Sequence, residues 1–413
     1  MSIGVEPAKR GIMGSIPTRV RLLIYTQILN SFGFGYFLIY LTAYLVEVNV
    51  VDAWGVGLIL GVETVVLVLT GVPMGILSDR RGRKWFLILG NALIPPTLLA
   101  FSLTHDFTWY VLAAALAGFA EACSLGSWNA LIADQTDLSN RDAAFSLSFI
   151  VGNVAFAAGF ALPLAMPVLH AILGMPSDII HSGSLFILGL LNVPIPFLVW
   201  LLLRNYKEAP RTQKTQEAPG ELKMLLKFSG FNGIIGLGAG LIIPLMGTWL
   251  LYKFSVQDTY SGPFLAVSSM TIALVAVASP WLSKRYGPFN SILMTAGTST
   301  VFMLSLAFVG NVFLAGGLYL IRASLMNMAQ PLIDSYLMGI IHPGRRGLGS
   351  AIAAIVWRLP NSVTTIIGGF VLYSGLSSGN HFLYDVPWLG ASALYVVGIG
   401  LLYATFRHIK PRS

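Results

Sequence analysis

Runs of about 20 or more apolar residues recur along the whole chain, and this feature leaves few folds open. At the 1.5 Å rise of an α-helix, each run is long enough to cross a hydrocarbon core of roughly 30 Å. Twelve such segments are predicted, at about 20–46, 54–77, 85–104, 107–135, 143–168, 181–203, 222–251, 259–283, 288–309, 312–341, 347–373 and 387–406. Inside lipid every backbone N–H and C=O needs a partner within the chain, which admits only helices and closed β-barrels. The runs are continuous rather than alternating apolar with polar, so a barrel is excluded. Composition agrees, because Asp, Glu, Lys and Arg make up only 10% of the 413 residues, against roughly a quarter in soluble proteins. The first apolar run is too long for a signal-peptide core and shows no small-residue cleavage site, so it is expected to stay as a membrane helix.

Charge gives the chain an orientation. Of the 25 lysines and arginines, 22 fall in alternate joints: the N-terminus, the joints after segments 2, 4, 6, 8 and 10, and the C-terminus. The other face holds Lys253 alone, and Arg322 and Arg358 lie within segments. Basic loops stay in the cytoplasm, so both termini are expected there, with anionic lipid of the inner leaflet as counter-charge. The expected location is the plasma membrane, as a multi-pass protein and a monomer. Nucleic-acid binding is excluded, because the basic residues are spread over loop ends with no basic domain to hold a duplex. The single cysteine, Cys123, permits no intramolecular disulfide. None of the six histidines pairs with another at helical metal-ligand spacing, so no metal and no cofactor is expected. The chain has neither an HExxH helix nor a Walker loop. Enzymatic and ATP-driven readings are therefore set aside, and any pumping must draw on an ion or solute gradient. A channel would need a filter segment or rings of like charge, and the sequence offers neither.

The longest polar stretch, Arg204 to Glu221, mixes charges with Pro, Gly and Gln in the manner of a linker. It divides the chain into an N-terminal part, 1–203, the linker 204–221, and a C-terminal part, 222–413. The two parts resemble each other. One offset of 205 residues matches Gly33 to Gly238, Gly35 to Gly240, Gly57 to Gly262, Arg80 to Arg285, Gly82 to Gly287 and Arg141 to Arg346. The expected fold class is an all-α integral membrane protein with twelve transmembrane helices in two pseudo-symmetric six-helix bundles. Parallel repeats of this kind imply a pseudo-two-fold axis along the membrane normal and a path between the halves.

The joint between segments 2 and 3 reads Gly75-Ile-Leu-Ser-Asp79-Arg80-Arg81-Gly82-Arg83-Lys84. It resembles the signature of the major facilitator superfamily, G-x-L-x-D-R-x-G-R-K, and stands in the expected place. The second-half copy, Leu282 to Phe289, is degraded, with Lys284 at the Asp79 position. Gly118, Asp134 and Arg141, and then Gly152, Gly159 and Pro163, are further echoes, the last three similar to an element of the family's antiporters. The resemblance implies alternating access, with helices 1, 4, 7 and 10 lining a central cavity, helices 2, 5, 8 and 11 beside them, and 3, 6, 9 and 12 outside. Read physically, Gly75 allows close approach of helix 2 to helix 11, and Gly82 permits a tight turn. Asp79 and the basic groups Arg80 and Arg83 can cap and grip neighbouring helix ends. With Asp134, Arg141, Asp334 and Arg346 they are expected to form a charged latch at the cytoplasmic gate; the plainer alternative is a cluster that only sets orientation.

Ionisable groups deep in the bilayer cost roughly 2.5–3.5 kcal/mol on insertion scales, so each is a candidate functional group. Glu63, Glu121, Arg322, Asp334 and Arg358 are such groups. Glu63 is expected to meet Arg358 across the seam of helices 2 and 11, while Glu121 and Arg322 face the cavity from opposite halves. The resemblance also implies an arginine where this chain has Ala114, and Arg322 is expected to substitute for it from helix 10. Two readings stand: Glu121 or Glu63 exchanges a proton as access alternates, or these charges form permanent ion pairs. Tyr36, Tyr40, Trp128, Asn129, Trp249 and Asn327, with both arginines, make a mixed aromatic and polar surface suited to an amphiphilic solute. The expected function is proton-coupled export of a small organic compound. The alternative is uptake or facilitated diffusion of a small metabolite or an organic anion held by Arg322 and Arg358.

Overall fold

A computed structural model describes residues 16–136, 140–206, 221–276, 279–340 and 346–407. The described residues are helical, with no strand among them. The helices are α1 Thr18–Glu47, α2 Ala53–Arg81, α3 Arg83–Leu103, α4 Phe107–Asp134, α5 at 141–173, α6 Ser177–Leu203, α7 at 221–254, and α8 as Asp258–Ala276 with Ser279–Tyr286. They continue as α9 Pro288–Ala307, α10 Val312–Ile340, α11 Arg346–Ser378 and α12 Val386–Phe406. Ten helices among the described residues are long and apolar enough to cross a membrane; α8 stands outside that set, and in α10 the apolar part is the shorter Val312–Met328.

Local chemistry explains where the helices begin and break. Asp52 caps α2, its Oδ1 accepting from the Gly55 amide at 2.7 Å, which satisfies one orphan donor of the first turn. The α2–α3 turn falls on Gly82 at φ 110°, and its counterpart 205 residues on, Gly287, stands at φ 80° ahead of α9. A side chain disfavours both conformations, so glycine is required there. Pro163 sits in a 3-10 turn, Leu162–Ala165, inside α5, and Pro244 in one at Ile243–Leu245 inside α7. Proline removes an amide donor and breaks the ladder at those points. A π turn at Tyr40–Tyr44 interrupts α1 without a proline.

The 205-residue repeat reappears in the packing. A Cβ on Gly57 would press on the carbonyl oxygen of Thr365, and one on Gly262 would collide with that of Phe160. These two contacts join the halves at the α2–α11 and α8–α5 seams, and they are the same pairing written with the offset. Small residues let backbones touch where lipid supplies no hydrophobic drive.

The two ends of the molecule differ. At the end opposite the basic joints the halves are closed together. Thr248 Oγ1 donates to the Thr42 carbonyl, the Ala53 amide to Tyr252 Oη at 3.2 Å, and Gln257 Nε2 to Glu47 Oε1 at 2.8 Å. Tyr36, Tyr40, Trp249 and Trp388 are fully buried in this plug. At the basic end the halves part. The space where Cβ atoms of Gly71 and Gly75 would lie has no neighbour within 4 Å, and Leu69, Val72 and Ile76 of α2, Phe149 and Ile150 of α5, and Met270 and Leu274 of α8 are exposed. Among the described residues none lies against Gly75, so the expected approach of Gly75 to α11 is not among the contacts described.

Candidate functional site

A cavity of about 410 Å³ opens among α1 to α5. Its walls carry Phe34, Phe37, Ile94, Leu98, Leu125 and Phe156 as apolar surface and Gln27, Asn30, Asn91, Thr97, Ser124, Trp128, Glu63 and Glu121 as polar groups. Every described lining residue belongs to the first half. α4 can lie this close to α2 because of Gly118, where any Cβ would collide with the Glu63 carbonyl oxygen. That contact brings Glu63 and Glu121 to the same cavity.

Among the described residues, one side chain ties the second half to the cavity wall. Arg358 of α11 donates from Nη1 to Glu121 Oε1 at 2.9 Å, and both side chains are about a third exposed, at 30% and 36%. This ion pair crosses between the halves. Glu63 lies within electrostatic reach of both charges, yet none of the described residues hydrogen-bonds its carboxylate. It is buried, with 7% exposure.

Amides and an indole order the rest of the wall. Asn91 Nδ2 donates to the Leu87 carbonyl at 2.8 Å, which leaves Asn91 Oδ1 to accept from Asn30 Nδ2 at 2.6 Å. Asn30 Oδ1 ends this chain with no hydrogen-bond partner, and Ser124 Oγ also lacks one. Trp128 Nε1 donates to Ser148 Oγ at 3.1 Å, and Gln27 Nε2 to the Ser148 carbonyl at 2.9 Å, fixing α1 and α4 on α5.

The structure thus gathers Glu63, Glu121, Trp128 and Arg358, but with a different pairing from that expected: Arg358 reaches Glu121 and not Glu63. Arg322 does not face the cavity. It is 4% exposed inside the second half, donating to Tyr395 Oη of α12 at 2.9 Å with its guanidinium over that ring. Tyr36, Tyr40 and Trp249 belong to the plug; Tyr36 Oη donates to the His181 carbonyl and Trp249 Nε1 to that of Tyr384. Asn129 is exposed, and Asn327 donates to Ala323 of its own helix. At the basic end Asp134 accepts from Arg83 Nη1 at 2.7 Å and Tyr206 Oη at 2.6 Å, tying the ends of α3, α4 and α6 within the first half. Arg80 is exposed beside Gly82. The side chains of Asp79, Arg141, Asp334 and Arg346 lie outside the described residues, as does most of the linker.

Asn30, Asn91, Gln27 and Thr97 are the cavity groups that sequence reasoning passed over. Asn91 and Thr97 sit on α3, a helix expected to lie outside. The available signal was an amide in the middle of an apolar run, the same signal that drew attention to the carboxylates. A G-x-S-x-G string, Gly375 to Gly379, ends α11; Ser377 Oγ there donates to the Ser374 carbonyl at 3.3 Å. It is not the strand-to-helix elbow that such a string marks in hydrolases.

The sequence matches the model of the Major Facilitator Superfamily over residues 23–365. Among solved structures, a bacterial homolog of the human lysosomal transporter Spinster, in an inward-facing and occupied conformation, is similar with a TM-score of 0.76 at 14% identity, covering 94% of this chain and 96% of that one. The nucleoside transporter NupG is similar with a TM-score of 0.68 at 17% identity, over 95% and 100% of the two chains. The human organic anion transporter MFSD10 (TETRAN) gives 0.62 at 15% identity, over 94% and 100%. At these identities the likeness is one of fold. A comparison with curated protein sequences gave no match.

Proposed function

The chain belongs to the Major Facilitator Superfamily, a transporter and not an enzyme, and on that footing we propose that it exports a small organic solute in exchange for protons. Two six-helix bundles, 1–203 and 222–413 joined by the linker 204–221, rock about the cavity. The basic end faces the cytoplasm with both termini, in the plasma membrane and against anionic lipid, so the conformation described is open inward. The unit of transport is one chain.

The observation that carries this reading is the Glu121–Arg358 pair, the one described side-chain ion pair that joins the halves beside the cavity. A charge pair at such a position can be opened by a proton on Glu121 or by a competing solute, and either event loosens one half from the other. Glu63 is the second carboxylate of the relay. Asp134 with Arg83, joined by Asp79, Arg80, Arg141, Asp334 and Arg346, forms the inner gate around the Gly75 to Gly82 joint. The anion-uptake alternative loses support, because Arg322 is engaged with Tyr395 and Arg358 with Glu121.

The test is flux in proteoliposomes under an imposed pH gradient. Solute should accumulate against its gradient when protons run the other way, and Glu121→Gln should abolish accumulation while leaving solute exchange partly intact. Flux indifferent to the gradient eliminates proton coupling, and unchanged accumulation by Glu121→Gln removes that residue from the relay.

A further inference from the structure

Among the described residues the cavity's unpartnered polar groups are the Asn30 oxygen, the Ser124 hydroxyl and the Glu63 carboxylate, and only the last can carry a charge. The amide order is fixed by the network: Asn91 can donate to the Leu87 carbonyl only through its NH₂, so Asn91 offers oxygen to Asn30, and Asn30 Oδ1 is left buried behind the wall without a partner. Glu63 is more than nine-tenths buried, lines the cavity, and receives no hydrogen bond on its carboxylate from the described residues. That carboxylate is the acceptor open to a ligand. Among the described residues no cation is left over to balance it, because Arg358 is held by Glu121 and Arg322 lies elsewhere. With both carboxylates ionised, Glu63, Glu121 and Arg358 together carry one net negative charge. Around it stand Phe34, Phe156 and Trp128, whose ring faces attract cations.

We propose that this cavity recognises a small organic cation, a protonated amine on an aromatic body, with Glu63 as the carboxylate that meets the ammonium group. The aromatic body lies against Phe34, Phe156 and Trp128. The inference rests on the transporter reading above and narrows its solute. A buried carboxylate requires a counter-charge or a proton; the cation supplies the first, and exchange of one for the other at Glu63 is the chemistry of antiport.

Three probes of one shape separate the possibilities: biphenyl-4-ylmethylamine, biphenyl-4-ylmethanol and biphenyl-4-carboxylate. Binding to the purified full-length protein is measured by calorimetry at neutral pH. The amine should bind at least about tenfold more tightly than the alcohol, as expected for hydrogen bonds to a charged group, and the carboxylate should not bind. Glu63→Gln should bring the amine down to the affinity of the alcohol and leave the alcohol unchanged. Glu63→Asp, which keeps the charge, should retain the preference. A preference for the carboxylate, equal binding of all three, no binding of the amine, or an undiminished preference in Glu63→Gln overturns the proposal. None of these outcomes decides proton coupling, which stands or falls on the pH-gradient flux.

Discussion

Removing the charges of Glu121 and Arg358 singly and together should expose a coupling of about 1–2 kcal/mol between them. The figure follows from the geometry. With the bonded atoms 2.9 Å apart, the charge centres lie about 4 Å apart, where the Coulomb energy is about 4 kcal/mol at an effective dielectric of 20 and about 1 kcal/mol in water. The side chains are 30% and 36% exposed, so solvent screening pulls the value toward the lower limit. Glu121→Gln, Arg358→Gln and the double variant form a mutant cycle, read by unfolding in mixed micelles with increasing SDS. Each single change should cost more than the double change implies, because each leaves the other charge without its partner. A reversed pair, Glu121→Arg with Arg358→Glu, should restore most of the loss. Additivity within about 0.5 kcal/mol, the limit for independent sites, would refute the idea that the two halves are bonded at the cavity.

Other changes test the scaffold. Gly118→Ala forces α4 away from the Glu63 carbonyl and should cost about 1–3 kcal/mol of stability, the usual range for overpacking, with amine binding lost in parallel; wild-type binding would mean the α2–α4 contact does not place Glu63. Gly82→Ala, at φ 110°, should cost about 1–3 kcal/mol in the same unfolding assay as a strained backbone position. Thr248→Val removes the hydrogen bond to the Thr42 carbonyl and should cost about 1 kcal/mol, seen as faster modification of cysteines placed near Thr42 from the side opposite the basic end. Asp134→Asn removes the carboxylate that Arg83 and Tyr206 share, and should increase the mobility of a spin label at the neighbouring Asn205 while leaving solute affinity as it was.

The apolar runs made the helices legible, because in lipid no other element satisfies a continuous backbone. The repeat was legible as well: the offset that pairs Gly82 with Gly287 in sequence pairs their positive φ angles, and the Gly57 and Gly262 contacts obey it too. Glu63, Glu121, Trp128 and Arg358 stood out as costly or amphipathic groups in apolar surroundings, and all four meet at the cavity or its edge. Their pairing was not legible. Lipid is as apolar as a protein core, so hydropathy does not say which face of a membrane helix turns inward. Without that angle, Arg358 could be assigned to Glu63 as readily as to Glu121, and Arg322 to the cavity as readily as to Tyr395. The same blindness hid Asn91 and Thr97 on α3. The breaks in α5 and α7 were signalled by proline, whereas the π turn at Tyr40–Tyr44 has no sequence mark that we recognise.

The register of the α2–α11 seam has a use beyond the end where it is made. The two helices run antiparallel there, with Gly57 against Thr365 and Gly369, and Gly61 against Ser362 and Ile366. Carried on down both helices in the same step, that alignment sets Gly71 across from Ala353 and Gly75 across from Gly349. All four are nearly bare backbone by sequence, so the lower limbs, if drawn together, would meet as a zipper of small residues. On the rocking proposed above, Gly75 would then serve a second conformation.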